Sequence, residues 1–122
     1  MRIFKNKEFT RFAKKSGIID TALCKAVMDA NRGLIDADLG GGVIKQRVAR
    51  EGKGKSSGFR TIILFKTGTR AFFVYGFAKN ERENIGQDEL TEFKRLSEKM
   101  LNYSDTELDR AIEKNILNEV FL

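Results

Sequence analysis

The segment that decides the fold is residues 40–82, which read GGGVIKQRVAREGKGKSSGFRTIILFKTGTRAFFVYGFAKNER. From Val43 to Arg82 it contains ten lysines and arginines against two glutamates, a formal charge of +8. Residues 1–42 carry +3 and residues 83–122 carry −5, which gives the chain its total of +6. The basic character is therefore concentrated on one segment. Such clustering favours a polyanionic partner, although many basic domains simply have a solvated basic face.

The same segment predicts three β-strands. Residues 43–49 alternate in polarity with a period of two, and residues 59–66 and 70–79 are runs of β-branched and aromatic side chains. The two runs are joined by a tight turn in which Gly68 supplies a positive φ. Because these runs are apolar on both faces, both sides of the sheet must be covered, and helices on each side would cover them.

Helix-capping residues mark the regions on either side of the strands. Polar side chains favour helix starts, and glycine favours helix ends. The predicted N-caps are Asn6, Asp20, Gly86 and Ser104, and the predicted terminating glycines are Gly17 and Gly33. Short strands are predicted at residues 2–5 and 116–121, the second of them at the edge of the sheet.

These elements predict an α+β fold. We expect a small antiparallel β-sheet core with two N-terminal helices on one face and a C-terminal helix. The length of 122 residues fits a single domain, 1–122, that is large enough to bury its own core.

Histidine is absent and Cys24 is the single cysteine. An intramolecular disulfide is therefore excluded, and we expect no transition-metal site and no cofactor. Cys24 lies on an apolar helix face, where a thiol packs as a small core residue. The lone thiol and the lack of a long apolar run favour a cytoplasmic protein with no membrane partner.

Residues 49–56, AREGKGKS, satisfy the loose form of a phosphate-binding loop with alanine in place of the first glycine. That motif needs a helix after the loop, whose N-terminal N–H groups hold the phosphates. Here the predicted strand 59–66 follows instead, so we do not expect nucleotide hydrolysis. The alternation of basic and small residues beside Phe59, Tyr75 and Phe77 favours RNA instead, with aromatic side chains available to stack on bases.

Two motifs resemble a known family. Residues 55–60, KSSGFR, followed by a β-hairpin and then residues 78–81, AKNE, are similar to signatures of the RelE/HigB-like toxins of bacterial type II toxin–antitoxin systems, within the RelE/ParE superfamily. The order of strands and helices agrees from about residue 4 to residue 100, and the likeness is strongest over residues 41–85. The resemblance implies a RelE-like fold.

The resemblance also implies a ribosome-dependent mRNA endonuclease that inhibits translation and needs no metal. The 2′-hydroxyl attacks the adjacent phosphate, so the site must remove a proton, stabilise the phosphorane and protonate the leaving oxygen. Crowded cations can serve, because like charges lower the pKa of a lysine while arginine grips phosphate oxygens through two N–H groups. By this resemblance the catalytic residues are Lys45, Arg47, Arg60 and Lys79, and the RNA-binding residues are Arg50, Lys53, Lys55, Asn80 and Arg82.

The chain departs from the family pattern near the last signature. Asn80 stands where RelE has an arginine, and Ile85 and Gly86 occupy the region where RelE has a tyrosine. The resemblance therefore does not identify the groups that transfer protons in this chain. Tyr75 is one alternative, although a tyrosine in a strand is more often a core residue with its hydroxyl at an edge.

Family resemblance also implies partners. We expect a cognate antitoxin, a helix-turn-helix protein encoded adjacently, together with the ribosome and mRNA. Two other functions remain open on the sequence. One is a ParE-like toxin that acts on DNA gyrase without cleaving anything, and the other is a basic nucleic-acid-binding accessory protein.

Overall fold

A computed structural model describes residues 1–49 and 58–121 of the chain. Within these ranges the elements follow one another as β1 (Arg2–Asn6), α1 (Lys7–Ser16), α2 (Asp20–Asn31), β2 (Ala37–Gly40), β3 (Val43–Val48), β4 (Phe59–Lys66), β5 (Arg70–Ala78), α3 (Gln87–Met100), α4 (Asp105–Glu113) and β6 (Leu117–Val120).

The described strands form one sheet in the order β2-β3-β4-β5-β1-β6. All neighbours pair antiparallel except β1 and β5, which run parallel. The predicted hairpin is confirmed, since β4 and β5 are joined by a turn in which Gly68 has a φ of 68°. The predicted α+β class is confirmed, and β6 lies at the sheet edge as expected.

Both faces of the sheet are covered, as the apolar strand runs require. One core places side chains of α1 and α2, such as Phe9 and Val27, against Ile63 and Phe73 of the sheet. The other core places side chains of α3 and α4, such as Met100 and Leu108, against Phe4, Ile62 and Phe72. Successive residues of β4 and β5 therefore enter opposite cores, which explains why these strands are apolar almost throughout. Cys24 is buried in the first core, and burial raises the pKa of its thiol.

Three of the four predicted N-caps are confirmed. The Asn6 side chain accepts a hydrogen bond from the Phe9 N–H at 2.8 Å, Ser104 forms a capping box with Glu107, and Gly86 precedes α3. The prediction for Asp20 is wrong, because Ile19 is the cap residue and makes no side-chain cap bond. The Asp20 carboxylate instead lies in the first turn of α2 and accepts from the Lys5 ammonium at 3.0 Å.

The strand β2 was not predicted from the sequence. It contains no β-branched residue, and it exists because Ala37 and Asp38 pair with Lys45 and Ile44 of β3. The predicted strand ends also move inward by one residue, since β3 ends at Val48 and β5 at Ala78. The strand β4 does follow the loose phosphate-loop motif, whose residues 50–56 lie outside the described ranges.

The strand β1 lies inside the sheet, between β5 and β6. Its first residue, Arg2, ties it to the far end of the chain through Glu119 at 2.9 Å, Asp105 at 3.0 Å and Asp109 at 2.9 Å. These carboxylates raise the pKa of the Arg2 guanidinium, with Glu119 the largest contributor. None of the helices in the described ranges combines the length and the apolar composition that crossing a membrane requires.

Candidate functional site

The candidate site is a cavity of about 340 Å³ at the open end of the central hairpin. Its lining residues come from β2 and the residue before it, from β3 and β4, and from the turn after β5. They are Asp36, Ala37, Lys45, Arg47, Arg60, Lys79 and Glu83. All four residues predicted to be catalytic therefore line one cavity.

Strand alternation places the cavity on the face that α3 covers. Val43 is buried in the core beneath α3, and Lys45 and Arg47 follow on the same face of β3. Arg60 stands directly opposite Arg47 in the register between β3 and β4, and it pairs on its other side with Phe77 of β5. The apolar core thus gives way to a cationic surface along the same face of the sheet.

Arg60 is the most unusual side chain of the cavity. Its Nη1 atom is buried and has no hydrogen-bond partner among the described residues. A buried donor left without a partner is costly, and native structures contain few of them. The neighbouring Arg47 presents a second guanidinium. An anion in the cavity would satisfy the free donor and relieve the repulsion between the two guanidinium groups.

Asp36 contacts both the backbone and the guanidinium of Arg47. Its Oδ2 atom accepts from the Arg47 backbone N–H at 2.6 Å, and its Oδ1 atom lies 4.0 Å from the Arg47 Nε atom. This carboxylate joins the loop before β2 to β3. It leaves most of the Arg47 guanidinium, which is exposed, free to bind a ligand.

Lys79 and Glu83 belong to the turn that follows β5, and both side chains are exposed. Glu83 forms no hydrogen bond or ion pair with the part of the chain that the structure describes. Lys79 adds a mobile ammonium group, as lysine does on its four-carbon stem. The turn therefore brings one cation and one unpaired carboxylate to the mouth of the cavity.

A clamp centred on Arg82 fixes this turn. The guanidinium donates to Glu89 at 2.6 and 3.1 Å, to the Tyr75 hydroxyl at 3.0 Å and to the Asn84 carbonyl at 2.9 Å. It also lies over the rings of Tyr75 and Phe77, at 5.7 and 5.8 Å from their centroids. Hydrogen bonding to Arg82 lowers the pKa of Glu89. Arg82 is outside the cavity lining, and its RNA contact stays a prediction.

The remaining predicted residues divide into three groups. Asn80 is exposed in the turn after β5 but does not line the cavity. Arg50, Lys53 and Lys55 lie outside the described ranges, so their predicted RNA contacts stay predictions. The expectation that aromatic side chains of this region stack on bases is wrong for Phe59 and Phe77, which are buried in the protein.

Sequence reasoning missed the two carboxylates of the cavity, Asp36 and Glu83. The net charge drew attention to the cations, and Asp36 lies upstream of the basic segment. Glu83 could have been noticed, because it follows the second signature by two residues. With four cations and two carboxylates the cavity carries a formal charge of +2. Among the described residues no group of three or more His, Cys, Asp or Glu is placed to hold a metal ion.

The fold and the cavity together define a small α+β protein with a cationic site at the open end of its central hairpin. The family model described as the RelE toxin of the RelE/RelB toxin–antitoxin system matches residues 1–120, so the chain belongs to the RelE toxin family. No match to a curated protein was found. The chain is thus a toxin of a toxin–antitoxin system, and its family implies a cognate antitoxin as partner.

Proposed function

We propose that this toxin is a ribosome-dependent mRNA endonuclease that acts in the cytoplasm. The 2′-hydroxyl of the substrate attacks the adjacent phosphorus, the bond from phosphorus to the 5′ oxygen breaks, and the products are a 2′,3′-cyclic phosphate and a 5′-hydroxyl. The observation that carries the proposal is a cavity lined by four cations, one of which, Arg60, has a buried Nη1 atom with no partner among the described residues.

Arg60 and Arg47 are assigned to the phosphate. They face each other across the register between β3 and β4, and a rigid strand aims each side chain. A guanidinium stays protonated and offers a planar pair of N–H donors that matches two phosphate oxygens. Because the phosphorane carries more charge than the phosphodiester, these bonds strengthen as the reaction proceeds.

Lys45 and Lys79 are assigned to stabilising the negative charge that develops during the reaction on the phosphorane and on the leaving 5′ oxygen. Lys45 is half-buried on β3, and Lys79 reaches in from the turn after β5. An ammonium group near the leaving 5′ oxygen can donate the proton that this oxygen needs. Arg50, Lys53, Lys55 and Asn80 are assigned to the RNA backbone flanking the cleaved bond, through sequence-independent contacts that salt weakens.

The experiment that tests this function uses purified ribosomes programmed with a defined mRNA. The toxin is produced together with its antitoxin and separated from it before the assay. We expect wild-type protein to cut the mRNA within codons, to leave 2′,3′-cyclic phosphate ends, and to cut naked mRNA far more slowly.

A matched control keeps the test specific. Lys66→Ala removes a cation from the exposed end of the same strand that holds Arg60, and it should cleave at the wild-type rate. Intact mRNA on ribosomes that have bound the wild-type toxin would refute the proposal. Intact mRNA together with inhibition of DNA gyrase would identify a ParE-like activity instead.

A further inference from the structure

We propose that Glu83 is the general base that removes the 2′-hydroxyl proton, an inference that rests on the proposed function. A general base needs a free lone pair in its ground state and a position within hydrogen-bond reach of the proton it takes. Of the side chains that line the cavity, Glu83 meets the first requirement best, and it shares that cavity with Arg60 and Lys79.

Most of the cavity lining cannot supply this lone pair. Arg47 and Arg60 offer N–H donors and have no acceptor atom. Lys45 and Lys79 are assigned above to the developing charge, a role that needs the ammonium form and its N–H donors. The Tyr75 hydroxyl lies outside the cavity lining and accepts from Arg82 at 3.0 Å. The two carboxylates remain.

Asp36 already accepts a hydrogen bond within the protein. Its Oδ2 atom accepts from the Arg47 backbone N–H at 2.6 Å, a short charge-assisted bond that holds the loop before β2 against β3. Protonation of Asp36 would weaken this bond in the middle of the reaction. Glu83 makes no hydrogen bond or ion pair with the described residues, so both of its oxygens are available to the substrate.

The Arg82 clamp holds the backbone on both sides of Glu83. The Arg82 Nε atom donates to the Asn84 carbonyl at 2.9 Å, and the Asn84 side chain accepts from the Ile85 N–H at 2.9 Å. The bonds from Arg82 to Glu89 attach this short loop to the first turn of α3. Glu83 is therefore presented from a fixed turn, which limits the freedom that its exposed side chain would otherwise have.

The proposed step balances within the cavity. The 2′-hydroxyl gives its proton to a Glu83 oxygen while the 2′ oxygen forms its bond to phosphorus. The bond from phosphorus to the 5′ oxygen breaks, and that oxygen takes a proton from the Lys79 ammonium. Glu83 then returns its proton, and Lys79 regains one, through solvent. The four cations offset the repulsion that a lone carboxylate would exert on the phosphate.

The test compares three variants in single-turnover cleavage on programmed ribosomes. Glu83→Gln keeps the shape and removes the base, and its cleavage rate should fall about 10²–10⁴-fold with ribosome binding retained. Glu81→Gln removes the same charge from an exposed position in the same turn, outside the cavity lining, and should cleave like wild type. Glu83→Ala should be slow, and added formate should raise its rate several-fold by supplying a carboxylate.

Wild-type cleavage by Glu83→Gln would overturn the role of Glu83 and leave the proposed function standing. A slow variant that formate does not accelerate, or one that has lost ribosome binding in proportion to its rate, would also overturn it. A wild-type toxin that leaves ribosome-bound mRNA intact would overturn the proposed function itself, and the base assignment with it. Melting temperatures of the variants establish that each is folded.

Discussion

Replacing Arg60 with methionine should make the protein more stable and nearly inactive. Methionine keeps the unbranched stem and removes the guanidinium. The buried Nη1 atom, which has no partner among the described residues, carries a penalty of roughly 1–3 kcal/mol, and a like charge directly opposite on the neighbouring strand adds roughly 0.2–1 kcal/mol. Their removal, less some packing loss, should raise the free energy of unfolding by about 1–2 kcal/mol.

The same change removes the phosphate contact that strengthens in the transition state. Loss of one such donor costs about 10²–10³ in rate. Arg60→Lys should also cleave slowly, because a point charge cannot reproduce the two parallel N–H bonds of the guanidinium. Stability and cleavage are therefore expected to move in opposite directions at this one position, which a purely structural arginine would not produce.

The assay combines thermal melting with cleavage on programmed ribosomes. For a chain of this length a gain of 1–2 kcal/mol corresponds to a rise in melting temperature of roughly 3–10 °C. Lys66→Met serves as control, since Lys66 is exposed at the other end of β4 and also faces a like charge, Arg70, but leaves no buried donor without a partner; it should change stability by no more than about 1 kcal/mol. A lower melting temperature for Arg60→Met, or cleavage at the wild-type rate, would refute the reasoning.

Two further predictions concern the framework around the site. Arg82 lowers the pKa of Glu89, so the ion pair stabilises the fold above the ordinary range of a glutamate pKa and stops doing so as acidification protonates Glu89. Glu89→Gln should therefore lower the urea midpoint at neutral pH, and the difference from wild type should shrink as the pH falls below the ordinary range of a glutamate pKa. Gly76→Ala should destabilise the fold by about 1–3 kcal/mol in urea unfolding, because its new methyl carbon would lie 2.3 Å from the Phe12 ring.

Each of these predictions has its own control. Asp88→Asn changes another exposed acidic residue in the first turn of α3, one for which the structure gives no side-chain bond, and its difference from wild type should not depend on pH in this way. Gly86→Ala adds the same methyl group where the nearest atom is 3.4 Å away, so it should cost less than the change at Gly76. A pH-independent Glu89→Gln difference, or a Gly76→Ala protein as stable as wild type, would contradict the respective argument.

Most of the fold could be predicted from local sequence patterns. The runs 59–66 and 70–79 and the cap residues such as Asn6 and Ser104 act through neighbouring residues, so period and capping chemistry suffice to find them. The strand β2 escaped because its pairing with β3, rather than its own composition, makes it a strand. Asp20 was predicted to cap α2, but its carboxylate accepts a hydrogen bond from Lys5, which lies outside that helix.

The candidate site also has a part that the sequence predicts and a part that it does not. Lys45, Arg47 and Arg60 lie on adjacent strands, so their convergence follows from alternation and from the hairpin register. The contributions of Asp36 and Glu83 depend on where two connecting segments return to the sheet, and neither strand periodicity nor net charge encodes that. The sequence also could not show that Arg82 is held by a carboxylate seven residues further along the chain.

The position of β1 in the sheet determines when the protein can complete its fold during synthesis. Residues 2–5 pair with residues 70–73 of β5, and residues 3–6 pair with residues 117–120 of β6, all of which are synthesised later than β1. Contacts so distant in sequence close slowly, because the long intervening chain must be ordered before they form. A nascent chain therefore cannot complete this sheet until the residues of β6 have been synthesised.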